Sequence, residues 1–86
     1  MKLERNISHD VLVELDKARA KFAPFNSAHE GFAVLKEEVD ELWDEVKHNP
    51  GSSPQAQHDR IERMRREAEQ IAAMAMRFII DVCEEK

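Results

Sequence analysis

The chain has 86 residues, enough for a single small helical domain over 1–86, and a chain this short buries only roughly 60% of the surface its unfolded form exposes. Hydrophobic residues at 42% and charged residues at 36% give a water-facing, patterned composition; two Gly, three Pro, no Tyr and 6% aromatics leave too little turn and strand material for a sandwich or barrel. A net charge of −5 argues against general nucleic-acid binding through phosphates, and the single Cys83 excludes an internal disulfide framework or a multi-cysteine zinc site, as in a reducing compartment.

The apolar spacing predicts three helices. The first runs from about residue 8 to residue 22, with Val11, Leu15, Ala18 and Phe22 on one stripe, Ser8 as N-cap and Pro24 ending it. The second opens on Ser27-Ala28-His29-Glu30, a capping box, and carries Phe32, Leu35, Val39, Leu42 and Val46 before stopping near Lys47 or His48. Phe22 and Phe25, flanking Pro24, read as a staple onto this helix. The loop Asn49-Pro50-Gly51-Ser52-Ser53-Pro54 follows. The third helix runs from about residue 57 to residue 82 or 83, with Ile61, Met64, Ala68, Ile71, Ala75, Phe78 and Val82 in step, and would be about 40 Å long.

That length exceeds the other two helices, so Phe78, Ile79 and Val82 are expected to face water in a lone subunit. Ala68, Ala72, Ala73 and Ala75 would let another helix approach closely. The expectation is an all-α, three-helix subunit completing a four-helix-type bundle as a homodimer or homotetramer. The longest clean apolar run, 71–76, is far shorter than the ~20 residues that cross a bilayer. Met1-Lys2-Leu3-Glu4-Arg5 lacks the apolar core of a signal peptide, so a cytoplasmic location without a membrane partner is expected.

Chemistry concentrates in Glu37-Glu38-Val39-Asp40-Glu41-Leu42-Trp43-Asp44-Glu45. Glu38, Glu41 and Glu45 fall within about 60° of one another along an edge of the apolar stripe. Stacked, half-buried carboxylates suit a hard divalent cation; a solvated acidic face is the plainer reading in a chain with 18 acids. On the third helix Glu67 and Gln70 stand one turn apart, and antiparallel packing of helices two and three would bring the two groups face to face.

The stretch from Phe25 through Glu30, Glu37, Glu38, Glu41 and Trp43 to Val46 resembles the signature helix of the MazG-like all-α nucleoside triphosphate pyrophosphohydrolases, in particular short phage- or mobile-element-type members. Glu67-Ala68-Glu69-Gln70-Ile71-Ala72-Ala73-Met74-Ala75-Met76-Arg77 resembles their partner helix. The resemblance covers roughly half the chain. The family pattern, E-E-x-x-E and later E-x-x-D, is matched by Glu37, Glu38, Glu41 and Glu67, while Gln70 stands at the Asp position. The resemblance implies Mg²⁺-dependent (or Mn²⁺-dependent) cleavage of an NTP or dNTP to the monophosphate and pyrophosphate, of the house-cleaning type. It implies Glu38, Glu41, Glu67 and Gln70 as metal ligands, with Glu37 and Glu38 as the catalytic carboxylates, Glu37 serving as general base or outer-shell residue. Gln70 brings no charge, and Asp81-Val82-Cys83-Glu84-Glu85-Lys86 lacks the basic segment that many relatives carry after this helix. Those two departures motivate the alternative, a non-catalytic helical oligomerisation module on the same scaffold.

Arg60, Arg63, Arg65 and Arg66 form a basic cluster in which Arg63 and Arg66, with Lys47, are candidates for substrate phosphate; ion pairing with the acidic second helix is the ordinary reading. Trp43 and Phe32 would stack on a base or fill core or interface. His9, His29, His48 and His58 form no metal-binding spacing, and Met64, Met74 and Met76 read as core filler. Cys83 has no base nearby in sequence to activate it.

Overall fold

The computed structural model describes residues 6–84; Met1 to Arg5 and the final Glu85 and Lys86, on which part of the tail reading rests, lie outside the described residues. Three α-helices, α1 (Ile7–Lys21), α2 (Ala28–Lys47) and α3 (Pro54–Phe78), are followed by a π-helical turn, Ile79–Cys83. No strand occurs among the described residues, so the all-α expectation holds.

Each helix start has a chemical cause. Asn6, not the expected Ser8, caps α1, its side chain accepting from the His9 N–H at 3.0 Å. Ser27 caps α2 as read, accepting from the Glu30 N–H at 3.1 Å, but Glu30 reaches one residue further back than a capping box requires, to the Asn26 N–H at 2.8 Å. Ser53 caps α3 through the Ala56 N–H, with Pro54 in the first turn, where its missing N–H is no loss. The loop reading had hidden this start, and α3 begins three residues before the expected Gln57. Gly51 takes a φ of 95° in the tight turn before it, a backbone region that side chains disfavour.

α3 is the spine, with α1 and α2 each packed along it. The core is small: Val11, Leu15 and Ala18 from α1, Phe25 from the first connection, and Ala73 and Met74 from α3. Phe78 and Val82 pack against it, contrary to the expectation that both face water; only Ile79 of that trio is exposed. Close approach at Gly31 makes this packing possible, since a Cβ there would lie 2.6 Å from the Phe78 ring and 3.1 Å from Phe25. Ala73, fully buried, is spent inside the subunit and is not available to a second chain. Phe22 departs from its expected stripe: it is 54% exposed and sits at the C-cap of α1.

The end of α3 ties down the chain between α1 and α2. Arg77, only 5% exposed, donates to the Ala23 carbonyl at 2.6 Å and lies 3.6 Å from Asp81. The wide π turn brings Asp81 back so that its carboxylate accepts from the Phe25 N–H at 3.0 Å. At the other end, Arg60 donates to the Glu45 and Val46 carbonyls, satisfying acceptors that the last turn of α2 leaves open. Arg63 pairs with the Glu45 carboxylate at 3.0 Å. These contacts set α2 and α3 antiparallel.

Candidate metal centre

That register brings acids from two helices together. Glu38 and Glu41 lie one turn apart on α2, and Glu67 faces them from α3. One carboxylate oxygen from each lies within 4.8 Å of the others. Oxygens on opposite sides of a Mg²⁺ ion stand about 4.2 Å apart, so small side-chain movements would bring these three onto one ion. Glu38 and Glu67 are half-buried and Glu41 is exposed, which leaves an open side toward solvent.

The electrostatics of the group are strained. Burial, followed by the charge of Glu41 and a hydrogen bond with it, pushes the Glu38 pKa up to about 7; Glu67 and Glu37 add to the rise. Glu67 is raised as well, first by burial and then by its hydrogen bond with Glu41, with Arg66 pulling the other way. Both shifts favour the protonated carboxyls, so a cation binding the ionised group would compete with protons there. Glu67 Oε2 is shut off from solvent and has no hydrogen-bond partner among the described residues. Oxygen-only donors from two facing helices, with one dry carboxylate oxygen among their residues, suit a hard cation.

The remaining sequence candidates are placed differently. Glu37 is exposed beside Glu38 and acts on it through its charge. The Gln70 amide nitrogen donates to Glu14 of α1 at 2.6 Å. Arg63 is engaged by Glu45, and Lys47 lies 3.4 Å from Asp44 at the far end of α2. Arg66 sits next to the cluster, near enough to act on Glu67. Phe32 and Trp43 are 61% and 58% exposed, so neither belongs to the core of the subunit.

Beside the acids, a cleft of about 730 Å³ opens between α1 and α2 over α3, within the size range of small-molecule sites. Glu14, Glu38 and Gln70 line it, together with Phe22, Val34 and Met74. Sequence reading missed Glu14, because its partner lies 56 residues away and the two share no local pattern. It also missed Asp81, whose only sequence sign is its spacing of four from Arg77. Compared with family models, curated proteins and solved structures, the chain matches none of them.

Proposed function

We propose that the chain is a Mg²⁺-dependent nucleoside triphosphate pyrophosphohydrolase of the MazG-like kind, Mn²⁺ also serving, that converts an NTP or dNTP to the monophosphate and pyrophosphate. The observation that carries this reading is the convergence of Glu38, Glu41 and Glu67 from two helices to within 4.8 Å, beside a cleft of small-molecule size. A divalent cation bound there would neutralise phosphate oxygens and lower the pKa of an attacking water. Glu38, Glu41 and Glu67 would hold the cation, with the neutral Gln70 as a further ligand. Glu37, exposed beside Glu38, would serve as general base toward such a water or as an outer-shell residue. Of the three basic candidates Arg66 acts on Glu67 through its charge, whereas Arg63 and Lys47 are occupied by acids of α2.

Pyrophosphate release from a panel of nucleoside triphosphates, with and without Mg²⁺, tests the proposal. Release should require the metal and be abolished by Glu41→Gln. Undiminished release by that variant rejects the site, and no release from any nucleotide by the native chain rejects the activity.

The subunit is also proposed to work as a homodimer or homotetramer in the cytoplasm. Phe32, Val39, Trp43 and Val46 recur along one flank of α2 within about 60° and all are exposed. The two rings alone leave about 250 Å² of apolar surface in water, a substantial part of the ~800 Å² per partner that a standard interface buries. A second copy is the occupant this stripe suits. A second groove, lined by Ile7 of α1, Leu42 of α2 and Ile61, Ala68 and Ala72 of α3, has small side chains that let a helix approach closely. The same exposed surface favours the second reading, a helical oligomerisation module without catalysis.

A further inference from the structure

The Gln70–Glu14 hydrogen bond bears directly on the neutral candidate ligand beside the acidic group. Gln70 lies one turn beyond Glu67 on α3, so the two side chains leave the helix as neighbours. Its Nε2 donates to Glu14 Oε2 at 2.6 Å, a short bond to a carboxylate acceptor. The other Glu14 oxygen is 3.4 Å from Lys17 Nζ, and the Glu14 side chain is only 21% exposed, so this carboxylate is fixed on both sides. With its amide nitrogen committed to α1, Gln70 has its carbonyl oxygen left as the free acceptor. Glu14, Gln70 and Glu38 line the same cleft, and the solvent-excluded Oε2 of Glu67, the neighbour of Gln70 on α3, has no hydrogen-bond partner among the described residues.

We propose that Glu14 is a positioning residue of the metal centre: it orients the Gln70 amide and brings from α1 the negative charge that Gln70 does not supply from α3. The inference rests on the metal reading of the Glu38, Glu41 and Glu67 group. It makes all three helices contributors to one site and gives α1, outside the motif-bearing pair, a functional role. Groups that hold metal ligands in place commonly change metal affinity by roughly 10–100-fold when removed.

Mn²⁺ binding to the native chain and to variants, read by electron paramagnetic resonance of the free ion, tests this without recourse to activity. Glu14→Gln should weaken Mn²⁺ binding by roughly tenfold while the metal-free circular dichroism spectrum stays native. The exchange Glu14→Gln with Gln70→Glu keeps the hydrogen bond with donor and acceptor reversed and returns the charge to α3, so it should recover the lost affinity. Native-like Mn²⁺ binding by Glu14→Gln, or an exchanged pair as weak as the single variant, overturns the role of Glu14 and leaves the three-acid centre standing. No Mn²⁺ uptake by the native chain overturns both.

Discussion

The guanidinium of Arg77 lies 4.1 Å from the centre of the Phe25 ring, and Asp81 holds the two together by facing the guanidinium while accepting from the Phe25 N–H. Phe22 adds a second ring at 5.7 Å. A charge this deeply buried is tolerable because it has partners: Arg77 donates to the Ala23 carbonyl and the Met74 sulfur, and Asp81 supplies the counter-charge. The cluster joins the end of α3 to the chain entering α2, and so braces one end of the cleft.

Removing one partner of that pair should cost more than any surface change. Asp81→Asn leaves Arg77 without its counter-charge in a dry site, where such losses run to about 3–5 kcal/mol. Urea unfolding should show a loss of that order, whereas Lys36→Gln, which breaks the exposed pair with Asp40, should change stability by less than about 0.5 kcal/mol.

The acidic group makes stability depend on pH in an unusual direction. Glu38 keeps its proton up to about pH 7 in the folded chain but ionises near its ordinary value of 4.5 when unfolded. Folding therefore retains a proton across that window, and stability falls as pH rises from 4.5 through 7. Glu67, raised as well, acts in the same sense. Without divalent ions the melting temperature should drop over this range. Saturating Mg²⁺ should reverse the drop, since it binds the ionised form.

Gly31 should resist even the smallest side chain. Alanine is the better helix former by up to about 1 kcal/mol, yet a methyl group would press into the Phe78 and Phe25 rings, and overpacking costs about 1–3 kcal/mol. Gly31→Ala should therefore be destabilising on balance. A gain in melting temperature would show that the rings yield freely.

Charging the exposed flank of α2 tests self-association. Trp43→Lys combined with Phe32→Lys should shift sedimentation at micromolar concentration to the monomer while the far-ultraviolet helix signal stays intact. Both rings already face water in the subunit, so their loss leaves its core in place.

What the sequence made legible was what repeats locally. The 3–4 spacing of Val11, Leu15 and Ala18 marks the buried stripe of α1, and Ser27 followed by Glu30 marks the entry to α2. The pairing of Glu38 and Glu41 with Glu67 was legible because a short connection between two helices dictates antiparallel packing. Local pattern could not reveal pairs distant in sequence: nothing in the residues next to Arg77 points to Ala23 and Phe25, which surround it in the fold. Ser8 and Asn6 are both good caps, and only the backbone path decides between them. Ile79 was read correctly as facing water, but its neighbours turn inward because Gly31 leaves room for Phe78.

The grip of Arg60 on the last carbonyls of α2 bears on how the chain tolerates change in the turn that follows. The alignment of the two long rods is gauged by a side chain at one end and by ring packing on Gly31 at the other, not by the span of residues joining them. Lengthening that bridge by a few residues leaves both gauges untouched, whereas sliding one rod by a single helical step, about 5.4 Å, would disengage them and separate the three carboxylates at once.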